Sequence, residues 1–262
     1  MTTNPTLEIL LNRKSVRAYE DRPIPEDVKQ QIIHAAMRAP TAGNMMLYSI
    51  IEVTDPLIKE KLAESCDHQP FIARAPLVLL FLADWQRWYD YFELSGVEEL
   101  CRRRGEPMHT PQEADLLLAC CDALIAAQTA VIAAESLGIG SCYIGDIMER
   151  YEFHRDLFHL PRYVFPICLL CFGYPTQQQK ERRPTERFAQ EFIHFKNQYK
   201  RLGPDEFAHM FAHMEEHMRR DPSLPAPYEN IGQMMYLRKF AADFSIEMRR
   251  SVRAALSRWL EG

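Results

Sequence analysis

Apolar positions recur every third or fourth residue over several stretches and run unbroken over two others, which predicts helices alternating with buried strands. Leu7, Ile9, Leu10 and Leu11 mark a short first helix. In IPEDVKQQIIHAAMRAP, residues 24–40, Val28, Ile32, Ala35, Ala36 and Ala39 keep helical spacing. Pro25 suits the first turn, Glu26 and Asp27 favour the positive end of the dipole, and Pro40 stops the helix. The small-residue loop PTAGN follows, and YSIIEVT at 48–54 is β-branched and aromatic, as a strand requires. Residues 55–66 read as a helix opening on Asp-Pro, and APLVLLFLAD at 75–84 as a strand apolar on both faces. Residues 84–104 read as helix and end in the polar stretch RRRGEP.

EADLLLACCDALIAAQTAVIAAESLGIG, residues 113–140, is a long Ala-rich helix, apolar almost all round and ended by Gly138 and Gly140. Such a helix is covered on most sides by its own core or by a partner subunit. SCYIGDI at 141–147 reads as a short extended turn, and VFPICLLCFGYP at 164–175 as a second buried strand. From about residue 187 the pattern becomes helical or Pro-rich, with DPSLPAPYEN at 221–230 as the one linker-like segment. About four strong strands among many helices predict an α/β or α+β layered domain. We divide the chain into a domain at 1–190 and a helical extension at 191–262 that packs on the core or on a partner.

Composition changes this picture little. With 262 residues, 47% of them hydrophobic, the chain can bury an ordinary core. The net charge of -5, with both signs interspersed, excludes a general nucleic-acid binder but leaves room for a local anion site. No apolar run is read as approaching the about 20 residues that span a bilayer, and no signal peptide is recognised, so no membrane partner is expected. Seven cysteines without disulfide-scaffold spacing predict reduced thiols and a cytoplasmic location.

The first candidate chemistry lies in RKSVRAYEDRPIP, residues 13–25. Arg13, Lys14, Ser15 and Arg17 crowd a connector between two helices. Guanidinium groups bind phosphate bidentately, Ser15 adds a neutral donor, and helix ends expose free N–H groups. A solvated loop would also explain the cluster. A second basic group, Lys180 and Arg182, follows a buried strand, and the two together suggest one shared anionic ligand.

The segments RKSVR, APTAGN, HQPFIARAPLVLLFLAD, AAESLGIGSCYIGDI and LLCFGYPTQQQKERRP resemble, in that order and spacing, the FMN-dependent nitroreductase family over roughly residues 7–190. The tail, with EMRRSVRAALSRWL, is similar to the NADPH-preferring nitroreductases and flavin reductases that carry a C-terminal helical extension. The resemblance implies an α+β fold, a mixed four- to five-stranded sheet wrapped by helices, and an intertwined homodimer with FMN at the interface. It implies that Arg13, Ser15 and Arg17 bind FMN, with Lys14 contributing from a variable position, and that Lys180 and Arg182 complete the phosphate site. Pro40, Thr41, Ala42 and Asn44 would lie along the ring and ribityl groups. Met46 stands where a Gln is frequent. Gln69 would bond the flavin's polar edge, with Phe71 covering the ring. Backbone from Tyr143, Ile144 and Gly145 would approach the reactive edge. The implied reaction takes hydride from NADPH or NADH through flavin N5 to nitroaromatics, quinones or free flavin, with no catalytic side chain and no metal. Arg238 and Lys239 are nominated for the NADPH 2′-phosphate. A specialised flavin reaction such as reductive dehalogenation, and a low-turnover flavin reservoir or sensor, are the alternatives.

Other features carry weaker chemistry. His209, His213 and His217 stack on one helix face, either for a metal or as an interface helix. Cys168 and Cys171 lie in a strand, where i and i+3 face opposite sides, which is poor geometry for a dithiol. No HExxH, nucleophile elbow, Walker loop or GxGxxG fingerprint is present.

Overall fold

The computed structural model describes residues 4–220 and 228–261, so most of the linker-like segment at 221–230 lies outside them. Two compact units form, Met1–Arg183 with Glu247–Gly262, and Pro184–Ile246.

In the first unit the elements follow in the order α1 (Pro5–Asn12), α2 (Glu26–Met37), β1 (Tyr48–Glu52), α3 (Pro56–Ser65), α4 (Phe71–Arg74), β2 (Leu77–Asp84), α5 (Gln86–Leu94), α6 (Val97–Arg104), α7 (Glu113–Ser136), β3 (Gly140–Ile144), α8 (Tyr151–Leu157), β4 (Val164–Gly173) and α9 (Gln177–Glu181). Local chemistry explains the ends. The Asn4 side chain caps α1 by accepting from Leu7 N–H, and Asp55 caps α3 by accepting from Leu57 N–H. The single helix read over 84–104 is two helices, broken at Gly96, whose φ of 72° is left-handed. The stretch read as an extended turn at 141–147 is a strand, β3, running into one helical turn at Asp146–Met148.

The sheet has the order β1-β2-β4-β3, and each neighbouring pair is antiparallel. The parallel component of the expected mixed sheet is the isolated bridge between Ser15 and Ser141. All eight residues of β2 are buried because both faces are covered. Leu77, Leu79 and Phe81 pack with Ile32 of α2 and Ala126 and Ala130 of α7. Val78, Leu80 and Leu82 pack on the other face with Leu62 of α3 and Ile72 of α4. Alternate residues of a strand thus serve two cores. Cys168 and Cys171 follow the same rule and sit in opposite cores, so they form no dithiol. All seven cysteines are free.

α7 corrects one expectation. By length and composition alone it is long and apolar enough to cross a bilayer. The fold uses it instead as a core helix, burying Ala119, Ala123, Ala126, Ala127, Ala130, Val131 and Ala134. Its other face leaves Leu117, Leu118, Leu124 and Ile125 exposed.

The second unit contains α10 (Pro204–Arg220), α11 (Ile231–Met235) and a π-helical turn at Tyr236–Phe240. Phe188 packs edge-on against Phe211, and Ile231 N–H donates to Glu215 at 2.9 Å. The last helix, α12 (Asp243–Glu261), belongs to the first unit from Glu247 onward and buries Trp259 there beside Tyr163.

Candidate functional site

The segment after α1 is laid across the end of the sheet by backbone bonds. Val16 N–H donates to Ser141 at 2.8 Å, Glu20 N–H to Tyr174 at 2.8 Å, and Thr176 N–H to Ala18 at 3.3 Å. Two facing glycines make room for it. A Cβ on Gly140 would meet Val16 at 2.5 Å, and one on Gly173 would meet the Tyr19 ring at 2.5 Å. Val16 is 3% exposed, so alternation turns Ser15 and Arg17 to the opposite side.

This placement brings both basic groups together within one chain. Lys14 Nζ donates to the Lys180 carbonyl at 2.6 Å and also to the Arg182 carbonyl. The Arg182 guanidinium donates in return to the Ser15 carbonyl. Arg17 N–H meets Gln179 at 3.4 Å. The Lys180 ammonium is paired with Glu20 at 2.8 Å. Arg13 Nη1 is buried with no partner among the described residues. Burial pushes the Cys142 thiol up, while Arg17 and Arg13 oppose that rise. Beside them, burial pushes Glu135 of α7 up to about 7 against the pull of Arg13 and Lys14.

A second group forms at the far end of β3. Gln69 Nε2 donates to Asp146 Oδ2 and to the Cys66 carbonyl, both at 2.9 Å. Tyr143 hydroxyl donates to Gln128 of α7 at 3.2 Å, and Ile144 is buried. Gly145 is exposed, has φ of -79°, and a Cβ there would meet nothing within 4 Å. Neither its backbone nor its packing within the chain requires a glycine. At about 3.3 Å per residue, β3 spaces Ser141 from Gly145 by roughly 13 Å.

The loop carrying Pro40, Thr41, Ala42 and Asn44 is held by a residue that the sequence analysis passed over. Asp122 of α7 is 3% exposed and accepts from the Thr41 hydroxyl, from Ala42 N–H at 3.1 Å and from Leu47 N–H at 3.2 Å. Thr41 Oγ1 then accepts from Met46 N–H at 2.8 Å. Gly43, Asn44 and Met46 all have positive φ, a tight backbone that these bonds secure. The signal was one carboxylate inside the apolar run ACCDALIAA. Pro40 and Asn44 are exposed.

Other expectations fare differently. Phe71, read as a ring cover, is buried in the core at 7% exposure. Arg238 and Lys239 lie on the exposed Tyr236–Phe240 turn of the second unit, with Lys239 Nζ 5.5 Å from the Phe244 ring. His213 faces Glu186 at 2.8 Å, His209 faces Glu191 at 3.8 Å, and the His213 and His217 rings are 4.4 Å apart. No group of three or more His, Cys, Asp or Glu among the described residues is arranged to hold a metal.

The nitroreductase family profile matches residues 10–174. This chain belongs to the nitroreductase family. The family match spans the first cationic segment at 13–17, the Asp122-held loop and the Gly145 turn, and ends before Lys180 and Arg182. Among relatives, FMN reductase [NAD(P)H] of Bacillus subtilis is 33% identical over 214 residues, covering 81% of each chain. Oxygen-insensitive NADPH nitroreductase of Salmonella typhimurium is 31% identical over 201 residues, 76% of each. Among solved structures, B. megaterium NfrA2 superposes with TM-score 0.81 at 28% identity, covering 98% of both chains and therefore the extension too.

Proposed function

We propose that the chain is an FMN-dependent NAD(P)H oxidoreductase acting on electron-poor acceptors such as nitroaromatics, quinones or free flavin, the bound flavin supplying hydride chemistry at N5. The observation that carries this reading is the reciprocal tie between Lys14 and Arg182, which joins two cationic segments into one anion site. Three features fit a flavin phosphate and ring. The buried Arg13 Nη1 lacks a partner, which a phosphate oxygen would supply. The open space at Gly145 suits backbone approach to a ring edge. The donor set of Arg13, Ser15, Arg17 and Arg182 has phosphate chemistry. Lys14 and Lys180, already engaged within the chain, add charge and hold the site's shape. Thr41, Ala42 and Asn44 would flank the ring, and Gln69 its polar edge.

The exposed leucines of α7 together with Leu7, Leu10 and Leu11 of α1 support a homodimer. The free thiols support a cytoplasmic location. Arg238 and Lys239 would receive the NADPH 2′-phosphate. The deciding experiment is a visible spectrum of the purified protein before and after anaerobic NADPH or NADH. Flavin peaks that bleach, with turnover of nitrofurazone or menadione afterwards, are expected. A folded protein that takes up no FMN overturns the reading, and one that binds FMN but does not bleach is a reservoir instead.

A further inference from the structure

A row of polar groups runs inward from the Gly145 turn. Gln69, on the loop between α3 and α4, donates to Asp146 at 2.9 Å. Asp146 is the charged group that acts most strongly on the Glu149 carboxyl. The two residues stand three apart, at either end of one helical turn closed by Glu149 N–H on the Asp146 carbonyl at 3.0 Å. Glu149 is 5% exposed, and its Oε1 has no partner among the described residues.

Two carboxyls this close, one of them out of water, do not both ionise at low cost. Burial, then the charge and hydrogen bond of Asp146, then Asp67 and Glu247 raise Glu149 to about 7. The surrounding elements do not offset this. Arg250 of α12 is taken by Glu152 and Glu247 at 2.8 Å each, and Glu247 also accepts the Arg150 backbone N–H at 3.1 Å. His154 of α8 is buried on Ser65 at 2.8 Å, and burial keeps it neutral down to about 4. The Cys66 thiol, whose carbonyl Gln69 holds, is pushed up to about 12 by burial and stays protonated.

We propose that Asp146 and Glu149 form a one-proton carboxyl pair that positions Gln69 and so makes flavin binding depend on pH; this rests on the FMN reading. With the proton in place, Glu149 donates to Asp146, and Asp146 accepts from Gln69. The loop carrying Gln69 and the Gly145 turn then share one anchor. Release of that proton to solvent leaves two facing carboxylates, whose repulsion drives Asp146 away from Glu149 and loosens the Gln69 tie. Both groups act through Gln69 and the turn, so they are positioning residues.

The test is the FMN dissociation constant of the flavin-stripped protein by fluorescence quenching, from pH 5.5 to 8.5. Wild type is expected to weaken about tenfold as pH rises through 7, the equivalent of one unit of pKa difference between free and loaded forms. Glu149→Gln still donates to Asp146 but cannot ionise, so it should keep the low-pH affinity across that range. Glu149→Ala should bind weakly at every pH. The phosphate of FMN titrates near 6 in all variants and cancels in the comparison. Superimposable wild-type and Glu149→Gln curves would sink the pair while leaving the flavin site intact; no FMN binding at any pH would sink the flavin reading itself. An independent measurement needs no variant. Carbon-13 NMR of the glutamate carboxyls should show one residue titrating near 7 that disappears in Glu149→Gln, and a Glu149 midpoint in the ordinary carboxylate range overturns the proposal.

Discussion

Lys14 and Arg182 each hold the other's backbone: the Lys14 ammonium donates to the Arg182 carbonyl, and the Arg182 guanidinium donates to the carbonyl of Ser15, next to Lys14. The consequence for binding is a division of labour. The lysine is spent on shape, and among the cations left for a ligand Arg13 is the one with a buried nitrogen unpaired among the described residues. Arg13→Met should therefore fold normally and weaken FMN about 10- to 100-fold, the value of one charge-assisted bond of about 1.5–3 kcal/mol. Arg13→Ala with Arg182→Ala should purify colourless. Fluorescence titration and circular dichroism check both.

Asp122 supports three donors of the loop after α2, two of them backbone N–H groups. Asp122→Ala leaves them unsatisfied and should cost about 2–4 kcal/mol. Thermal melts should show a lowered Tm, and residual FMN affinity should fall because the Thr41–Asn44 backbone loses its shape.

Gly145 separates stability from binding. Its φ of -79° and the empty space around its Cβ direction allow alanine without strain. Gly145→Ala should match the wild-type Tm within about 0.5 kcal/mol of stability. It should still weaken flavin binding, because the new methyl projects where a ring edge would approach. Equal FMN affinity in the two proteins would contradict that placement.

The pH dependence of stability has two opposed sources. His154 is held from 6.5 down to about 4 by burial, so its contribution is complete above 6.5 and is lost as pH falls toward 4. Glu149 and Glu135 are raised from 4.5 to about 7, so the fold favours their protonated forms and stability drops as pH rises from 4.5 to 7. Glu149→Gln should thus gain Tm over wild type at pH 8, on the order of 1 kcal/mol or about 2–4 °C, and show no gain at pH 4.5. Melts at the two pH values decide it.

Arg238 and Lys239 test the choice of nucleotide. Arg238→Ala with Lys239→Ala should raise KM for NADPH about tenfold, the loss of one charge-assisted contact, and leave KM for NADH unchanged. Steady-state kinetics with both donors measures the difference. Equal effects on the two would place the 2′-phosphate elsewhere.

Local pattern was enough for α2, α3, α7, β1, β2 and β4, because the period of burial repeats within a few residues of chain. The two basic segments and the small loop at 40–44 were equally plain, since residue type alone carries their charge and size. Chain neighbours could not show that Gly96 breaks a helix, that 140–144 pairs as a strand, or that Lys14 is consumed by carbonyls of residues 180 and 182. Nor could they show that Asp122, set in an apolar run of α7, holds a loop eighty residues earlier. Each of these depends on partners brought together by sheet register and helix packing, where the free energy of a polar group is set by what surrounds it after burial rather than by its place in the chain.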